Sequence, residues 1–249
     1  MAPETLLSHL HRADGSATYA HNGYTIIGAV NGPIEVLRRD ELPEEATVEV
    51  NIRPAIGVGT PRERHLETLL HSALRSVILI QNIPRTLVQI TLQVRTLPEE
   101  DSVTGINTSL TILPHLIHTA LLALLSSSVP LRTVITSTVV AIPAKSSNPL
   151  LSPTAKDLFR ANPIKSTHVF AFSGDANLVL NESDGVFTYE EWDEACEMAL
   201  ELCCREEPDG GVALGGAMDV DGQSENLEQW LRQVVKKKVE IEQKWRVAT

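Results

Sequence analysis

The sequence predicts an α+β fold of mixed sheets with two long core helices and further helices at its C-terminal end. Three observations predict it. A helical period of apolar residues over 60–82 gives way to a strict period of two over 88–95. Short β-branched stretches separated by turn residues precede that unit. A second apolar helical run, about 105–126, leads into another β-branched stretch at 133–142.

Residues 1–16 read as a polar lead-in, with a turn composition at Arg12-Ala13-Asp14-Gly15-Ser16. Strands are predicted at 17–20, 24–30 and 34–37, with Asn22-Gly23 as a hairpin turn tolerant of positive φ. Asn31-Gly32-Pro33 forms a further turn, and 38–45 is a charged loop. Val48, Val50 and Ile52 alternate with polar residues, so the chain is expected to open as an antiparallel meander. Leu66, Leu69, Leu70, Ala73, Leu74, Val77 and Ile78 recur every three or four residues and define one helix face. Thr60, Pro61 and Glu63 supply a capping box and a proline at the first helical position. Asn82-Ile83-Pro84 is expected to end that helix, because the residue before proline is driven out of the α region. In the strand that follows, Val88, Ile90, Leu92 and Val94 face one way and Gln89, Thr91, Gln93 and Arg95 the other.

The second half is less regular. An acidic loop at 97–101 precedes the apolar helix, which contains Pro114. Residues 143–164 read as a polar, proline-containing insertion. A hairpin is expected around Ser173-Gly174-Asp175, joining 169–172 to 178–180, and Asp184-Gly185 turns into 186–189. Thr188 with Glu191 repeats the capping-box spacing before a third helix, whose apolar side carries Trp192, Ala195, Cys196, Ala199, Leu200 and Cys203. Residues 206–225 form an acidic glycine-rich loop. The last helix, about 225–245, carries Leu227, Trp230, Leu231, Val234, Ile241 and Trp245 as a stripe that can dock.

Composition narrows the function. The 249 residues carry a net charge of −11, and aromatics make up 4%. A free nucleic-acid binder shows a basic footprint and, for single strands, exposed aromatics, so contact with RNA needs a local patch or a partner. Three cysteines, an odd number with two adjacent, imply no disulfide framework and a reducing compartment. The first sixteen residues show no secretory signal, and the run at 110–125 is too short to span a bilayer, so no membrane role is expected.

Four features could carry chemistry. Gly57-Val58-Gly59 leads into a helix N-terminus, where free N–H groups favour anions, and Arg62 and Arg64 add charge there. The bland alternative pairs Arg62 with Glu63 or solvent. His115 and His118 lie one turn apart without a neighbouring acid or thiol, which suits a helix surface or partner face better than a metal site. Lys236-Lys237-Lys238 reads as a solvated or helix-end charge run, with nucleic-acid contact as the sharper alternative. Cys203-Cys204 reads as core packing rather than a redox pair.

Arg12-Ala13-Asp14-Gly15-Ser16-Ala17, Gly32-Pro33-Ile34-Glu35, Ala73-Leu74-Arg75 and Pro84-Arg85, followed by the 105–125 helix, resemble the RNase PH family over about 10–205. The resemblance implies an RNase PH-type fold of the ribosomal protein S5 domain 2-like kind. It divides the chain into a lead-in at 1–10, a domain at 11–205 with an insertion at 143–166, the loop at 206–224 and a terminal helix at 225–249. Among family members it is most similar to ring subunits of the eukaryotic RNA exosome. That implies RNase PH-like partners in a six-membered ring, S1/KH-type cap subunits and RNA in a central channel, in nucleus, nucleolus and cytoplasm.

Active members of the family degrade RNA 3′ to 5′ with phosphate as nucleophile. The resemblance matches their helix-start arginine to Arg62. It places Val103, within Asp101-Ser102-Val103-Thr104, where a Gly-Gly-Thr-Arg loop has its arginine. It sets their metal-binding carboxylates in 144–167, where Asp157 is the only acid. A divalent ion needs several oxygen ligands. The expectation is therefore a catalytically silent subunit, with no catalytic residue, metal or cofactor. Arg62, Arg64 and Arg75 would keep an electrostatic role towards the RNA backbone. The alternative is an active phosphorolytic exoribonuclease. No nucleotide-binding glycine motif or triad supports a small-molecule enzyme.

Overall fold

The computed structural model describes residues 3–98, 108–127, 129–144, 149–204 and 226–247. The expected loops at 101–104 and 206–225, and the first residues of the second helix, lie outside them.

Two sheets enclose the central helices. The first contains β1 (Glu4–Leu7), β2 (Gly15–His21), β3 (Tyr24–Glu35), β4 (Thr47–Arg53) and β5 (Thr86–Thr96), in the order β1-β2-β3-β5-β4. The second contains β6 (Ile135–Pro143), β7 (Leu150–Leu151), β8 (Ile164–Ser173) and β9 (Leu178–Gly185), in the order β7-β6-β8-β9. Helices α1 (Pro61–Val77) and α2 (Thr108–Ser126) lie between the sheets, and α3 (Ala155–Ala161) follows β7. Helix α4 (Tyr189–Cys203) packs on β6 and β8. The chain ends in α5 (Leu227–Glu242) and the short α6 (Lys244–Val247).

Period two in β5 appears as predicted: Val88, Ile90, Leu92 and Val94 are buried. Asn22 and Gly23 both take positive φ, 51° and 86°, closing the β2–β3 hairpin in register Ala20 to Thr25. The Thr60 N–H donates to the Glu63 carboxylate at 2.7 Å, which is the return half of the capping box. Of the apolar face of α1, Leu66, Leu70, Ala73, Leu74 and Val77 are buried.

Several expectations are corrected. The polar lead-in contains a strand beyond those predicted: Glu4–Leu7 pairs antiparallel with β2 as the edge strand of the first sheet. The turn at Asn31-Gly32-Pro33 does not end a strand. It is a register shift inside the continuous β3, where Gly32 holds φ 155° and a side chain would meet the Leu87 carbonyl oxygen at 3.0 Å. β4 does not join the meander. It pairs in parallel with β5 across the α1 crossover, the connection a parallel pair requires. Helix α1 stops at Val77, before the proline signal, because Ile78 turns extended and bridges Leu131. Arg132 N donates to Val77 O at 2.7 Å in the same place.

The insertion is partly ordered structure. Thr154 N donates to an Asp157 carboxylate oxygen at 3.1 Å, and Thr154 Oγ1 to the same oxygen at 2.7 Å, starting α3 with a third capping box. As the capping-box spacing predicts, Thr188 caps α4, with its hydroxyl accepting from Glu191 N. At the other end, Ile241 and Trp245 are not docked. They are 63% and 72% exposed, while Leu231 carries the buried contact of α5.

Glycine sets how closely α2 approaches the first sheet. A Cβ on Gly15 would lie 2.3 Å from Ala123 O, a backbone atom that cannot swing aside. Gly15→Ala is therefore expected to destabilise the chain by about 1–3 kcal/mol. Urea unfolding monitored by circular dichroism measures the loss.

Candidate nucleic-acid interface

Each candidate arginine is placed by α1. Arg62 sits at the second helical position, exposed. Glu63 turns its carboxylate towards Thr60, from whose N–H it accepts at 2.7 Å, and it also feels the Arg62 charge. Its carboxyl stands below the usual range: slight burial raises it, and the hydrogen bonds from Thr60 together with the Arg62 charge outweigh that. Arg64 Nη1 donates to Glu67 Oε2 at 2.9 Å, and the other Glu67 oxygen accepts from Ile52 N at 2.8 Å. The pair thus anchors α1 to β4. Arg75 Nη2 donates to Glu45 Oε1 at 2.6 Å.

The three arginines do not form one clamp. Residues two apart on a helix do not face each other, which separates Arg62 from Arg64. Arg75 lies thirteen residues further along α1, roughly 20 Å at 1.5 Å per residue. Arg64 and Arg75 are each engaged by a carboxylate. The Arg64 side chain is 77% exposed, so its pair is worth about 0–1 kcal/mol and can be exchanged for a phosphate. Gly57 has φ 85°, a conformation suited to glycine, but a Cβ there or at Gly59 would meet nothing within 4 Å. Ile56 and Val58 on either side are 92% and 87% exposed. This glycine loop projects into open space.

A cavity among the described residues lies elsewhere, around side chains that sequence reasoning placed on a surface. His115 and His118 are buried, and with Tyr19, His21 and Tyr24 they line a space of about 30 Å³. Room on that scale admits a couple of water molecules. Tyr24 stacks on His115, with centroids 4.6 Å apart, and donates its hydroxyl to Thr111 Oγ1 at 2.9 Å. Trp230 of α5 packs edge-on against Tyr19 at 5.9 Å. The insertion closes the rim, where Asn22 Nδ2 donates to Ser152 O at 3.3 Å. His118 Nε2 accepts from Ser137 N at 3.0 Å, so its hydrogen sits on Nδ1. That Nδ1, His115 Nδ1 and Thr138 Oγ1 find no hydrogen-bond partner among the described residues. The alternation of Tyr19 with His21, facing Tyr24 across the hairpin, was the sequence signal for this cluster. His115 and His118 needed the fold, because only a second sheet makes both sides of α2 interior.

Among the described residues that line it, the cluster holds histidines but no acid. Among the described residues, no three His, Cys, Asp or Glu side chains are grouped to hold a metal ion, and no helix is long and apolar enough to cross a membrane. Asp157, the one acid of 144–167, has both its role and its charge committed. Hydrogen bonds from the Thr154 side chain and backbone hold its carboxyl below the usual range, with slight burial opposing them. Cys203 is buried and its thiol is pushed up to about 12, and all three cysteines are free. That fits core packing and not a redox pair.

Residues 4–130 match the family described as "3′ exoribonuclease family, domain 1", the RNase PH family. The chain belongs to the RNase PH family. It is 30% identical over 206 residues to "Exosome complex component RRP46" of Saccharomyces cerevisiae, covering 82% of this chain and 91% of that protein. The solved structure "Crystal Structure of rice (Oryza sativa) Rrp46" superposes with a TM-score of 0.67 at 24% identity, over 79% of this chain and 86% of that one. "Archaeal exosome core" superposes with a TM-score of 0.63 at 15% identity, over 80% and 82%. At these identities the structural likenesses establish the RNase PH fold, here an α+β arrangement of two sheets around α1 and α2.

Burial pushes the His118 imidazole down to about 3 and His115 well below its ordinary value, with the His21 charge adding to both. The unfolded chain takes up protons near pH 6.5 that the fold refuses. Stability is therefore fully present above about pH 6.5 and falls as pH drops towards 3. His118→Gln, which keeps an acceptor for Ser137 N, is expected to flatten that acid slope by about 1 kcal/mol per pH unit. Urea midpoints between neutral pH and about pH 4 measure it.

Proposed function

We propose that the chain is a catalytically silent subunit of the RNA exosome core ring. It supports 3′–5′ RNA processing and turnover by completing the ring and lining the channel. The observation that carries this reading is Asp157. The one acid in the stretch where active relatives keep metal-binding carboxylates is spent on starting α3, and a divalent ion would find no oxygen cage there. The separation of Arg62 from Arg75, and the ion pairs of Arg64 and Arg75, add support, since in-line attack by phosphate needs a clamp at one point.

Exposed apolar side chains supply surfaces for ring neighbours. Leu37, Ile56, Val58, Val186 and Tyr189 are each at least 74% exposed. β4 at one sheet edge and β9 at another offer unpaired backbone for strand contacts. The partners in this reading are other RNase PH-fold chains, S1/KH-type caps and RNA. Its places are those of the exosome: nucleus, nucleolus and cytoplasm. Arg62 keeps a weak, sequence-independent attraction for the RNA backbone, joined by Arg64 and Arg75 where a phosphate displaces their carboxylates.

Arg62 at the start of α1 favours a second reading, an active phosphorolytic exoribonuclease. Purified chain given labelled RNA, phosphate and magnesium is expected to release no nucleoside diphosphate above background. Robust release that Arg62→Ala abolishes would establish the second reading instead. Affinity purification of the chain from its own cells is expected to bring down other RNase PH-fold chains.

A further inference from the structure

We infer that the C-terminal end of the chain, from Lys236 through Arg246, is a contact site for single-stranded RNA, with Trp245 as a stacking platform and Lys236, Lys237, Lys244 and Arg246 as phosphate contacts. The inference rests on the RNA-handling reading of the chain and adds a site that reading does not use.

The charge is local and contrary to the rest of the molecule. Residues 236–247 hold five cations against two carboxylates, in a chain of net charge −11. One of the two, Glu242, already faces Lys238 at 3.6 Å. Lys238 also donates to Ser126 O at 3.4 Å, where its charge suits the C-terminal end of α2. It is the cation of the run that anchors α5. Lys236, Lys237, Lys244 and Arg246 are exposed.

The aromatic stands where stacking needs it. Leu231 and Trp230 hold the first half of α5 against the core, while Trp245 emerges 72% exposed. The Arg246 guanidinium lies 5.4 Å from its ring centroid. A cation beside an exposed indole, flanked by ammonium groups, is the chemistry that holds a base by its π-face and the backbone by its charge. Val239 and Ile241 add apolar surface, and a protein partner would also value Trp245 and Arg246. Lysine, however, is depleted at protein interfaces, and exposed lysines precede and follow Val239 and Ile241 along the chain. That favours a polyanion.

The test is fluorescence anisotropy of a labelled oligouridylate titrated with the full chain between about 50 and 200 mM salt. Trp245→Ala is expected to weaken binding about ten-fold, and Trp245→Phe to retain most of it. Lys236→Gln with Lys237→Gln is expected to reduce the slope of log affinity on log salt by roughly 1.4. Circular dichroism should stay unchanged in all three, since the side chains replaced are exposed. No binding by the parent chain at about 50 mM salt overturns the inference. So does unchanged affinity in Trp245→Ala or an unchanged slope in the lysine variant. Loss of a protein from the native assembly on Trp245→Ala, with oligouridylate affinity intact, assigns the surface to that protein and also overturns it. The composition of the assembly judges the ring reading separately, because it does not depend on the titration.

Discussion

The fold depends on the complete burial of α2. From Leu110 to Leu124 every residue is buried, because the helix has β2 and β3 on one side and β6 and β8 on the other. Such a helix has no face to spend on solvent, so its polar side chains, Thr111, His115, His118 and Thr119, are interior with the apolar ones. Its neighbours are built to that requirement. Gly15 and Gly28 remove the side chains that would hold the first sheet away. β6 is buried along its whole length, with α2 on one face and α4 on the other, and its residues are correspondingly small, β-branched or apolar. Among the polar atoms brought inside, His118 Nε2 accepts from the Ser137 N–H.

The same constraint limits where charged side chains can act. A helix-centred sandwich presents its loops and helix starts as the places where charge can act. Here those places have been given to structure. Glu63, Asp157 and Glu191 each close a capping box, and Glu67 ties Arg64 to β4. Carboxylates that cap helices cannot also gather around one cation. The surface otherwise carries exposed apolar side chains such as Leu37, Ile56 and Val58, and charge of both signs with acids in excess.

Local signals carried much of this in the sequence. The hairpin at Asn22-Gly23, the alternation in β5 and the capping spacings at Thr60 and Thr188 are short-range rules, and each recurs in the structure. Thr154 with Asp157 obeys the same spacing and was legible in principle, but the surrounding prolines and polar residues masked it as loop. The candidate arginines were legible as charges near a helix, yet nothing local says which carboxylate each would meet. Glu45 reaches Arg75 across thirty residues of sequence.

By itself the sequence determined most element types, the α+β class and the scarcity of acids in 144–167, because period, turn chemistry and composition act over a few residues, while the family likeness rested on short motifs and their order. Only the tertiary structure decided that β4 lies parallel beside β5, that His115 and His118 are interior, and that the stripe of α5 leaves the core before Ile241. Those outcomes depend on which surfaces meet, and a surface has two sides whose neighbours come from distant parts of the chain.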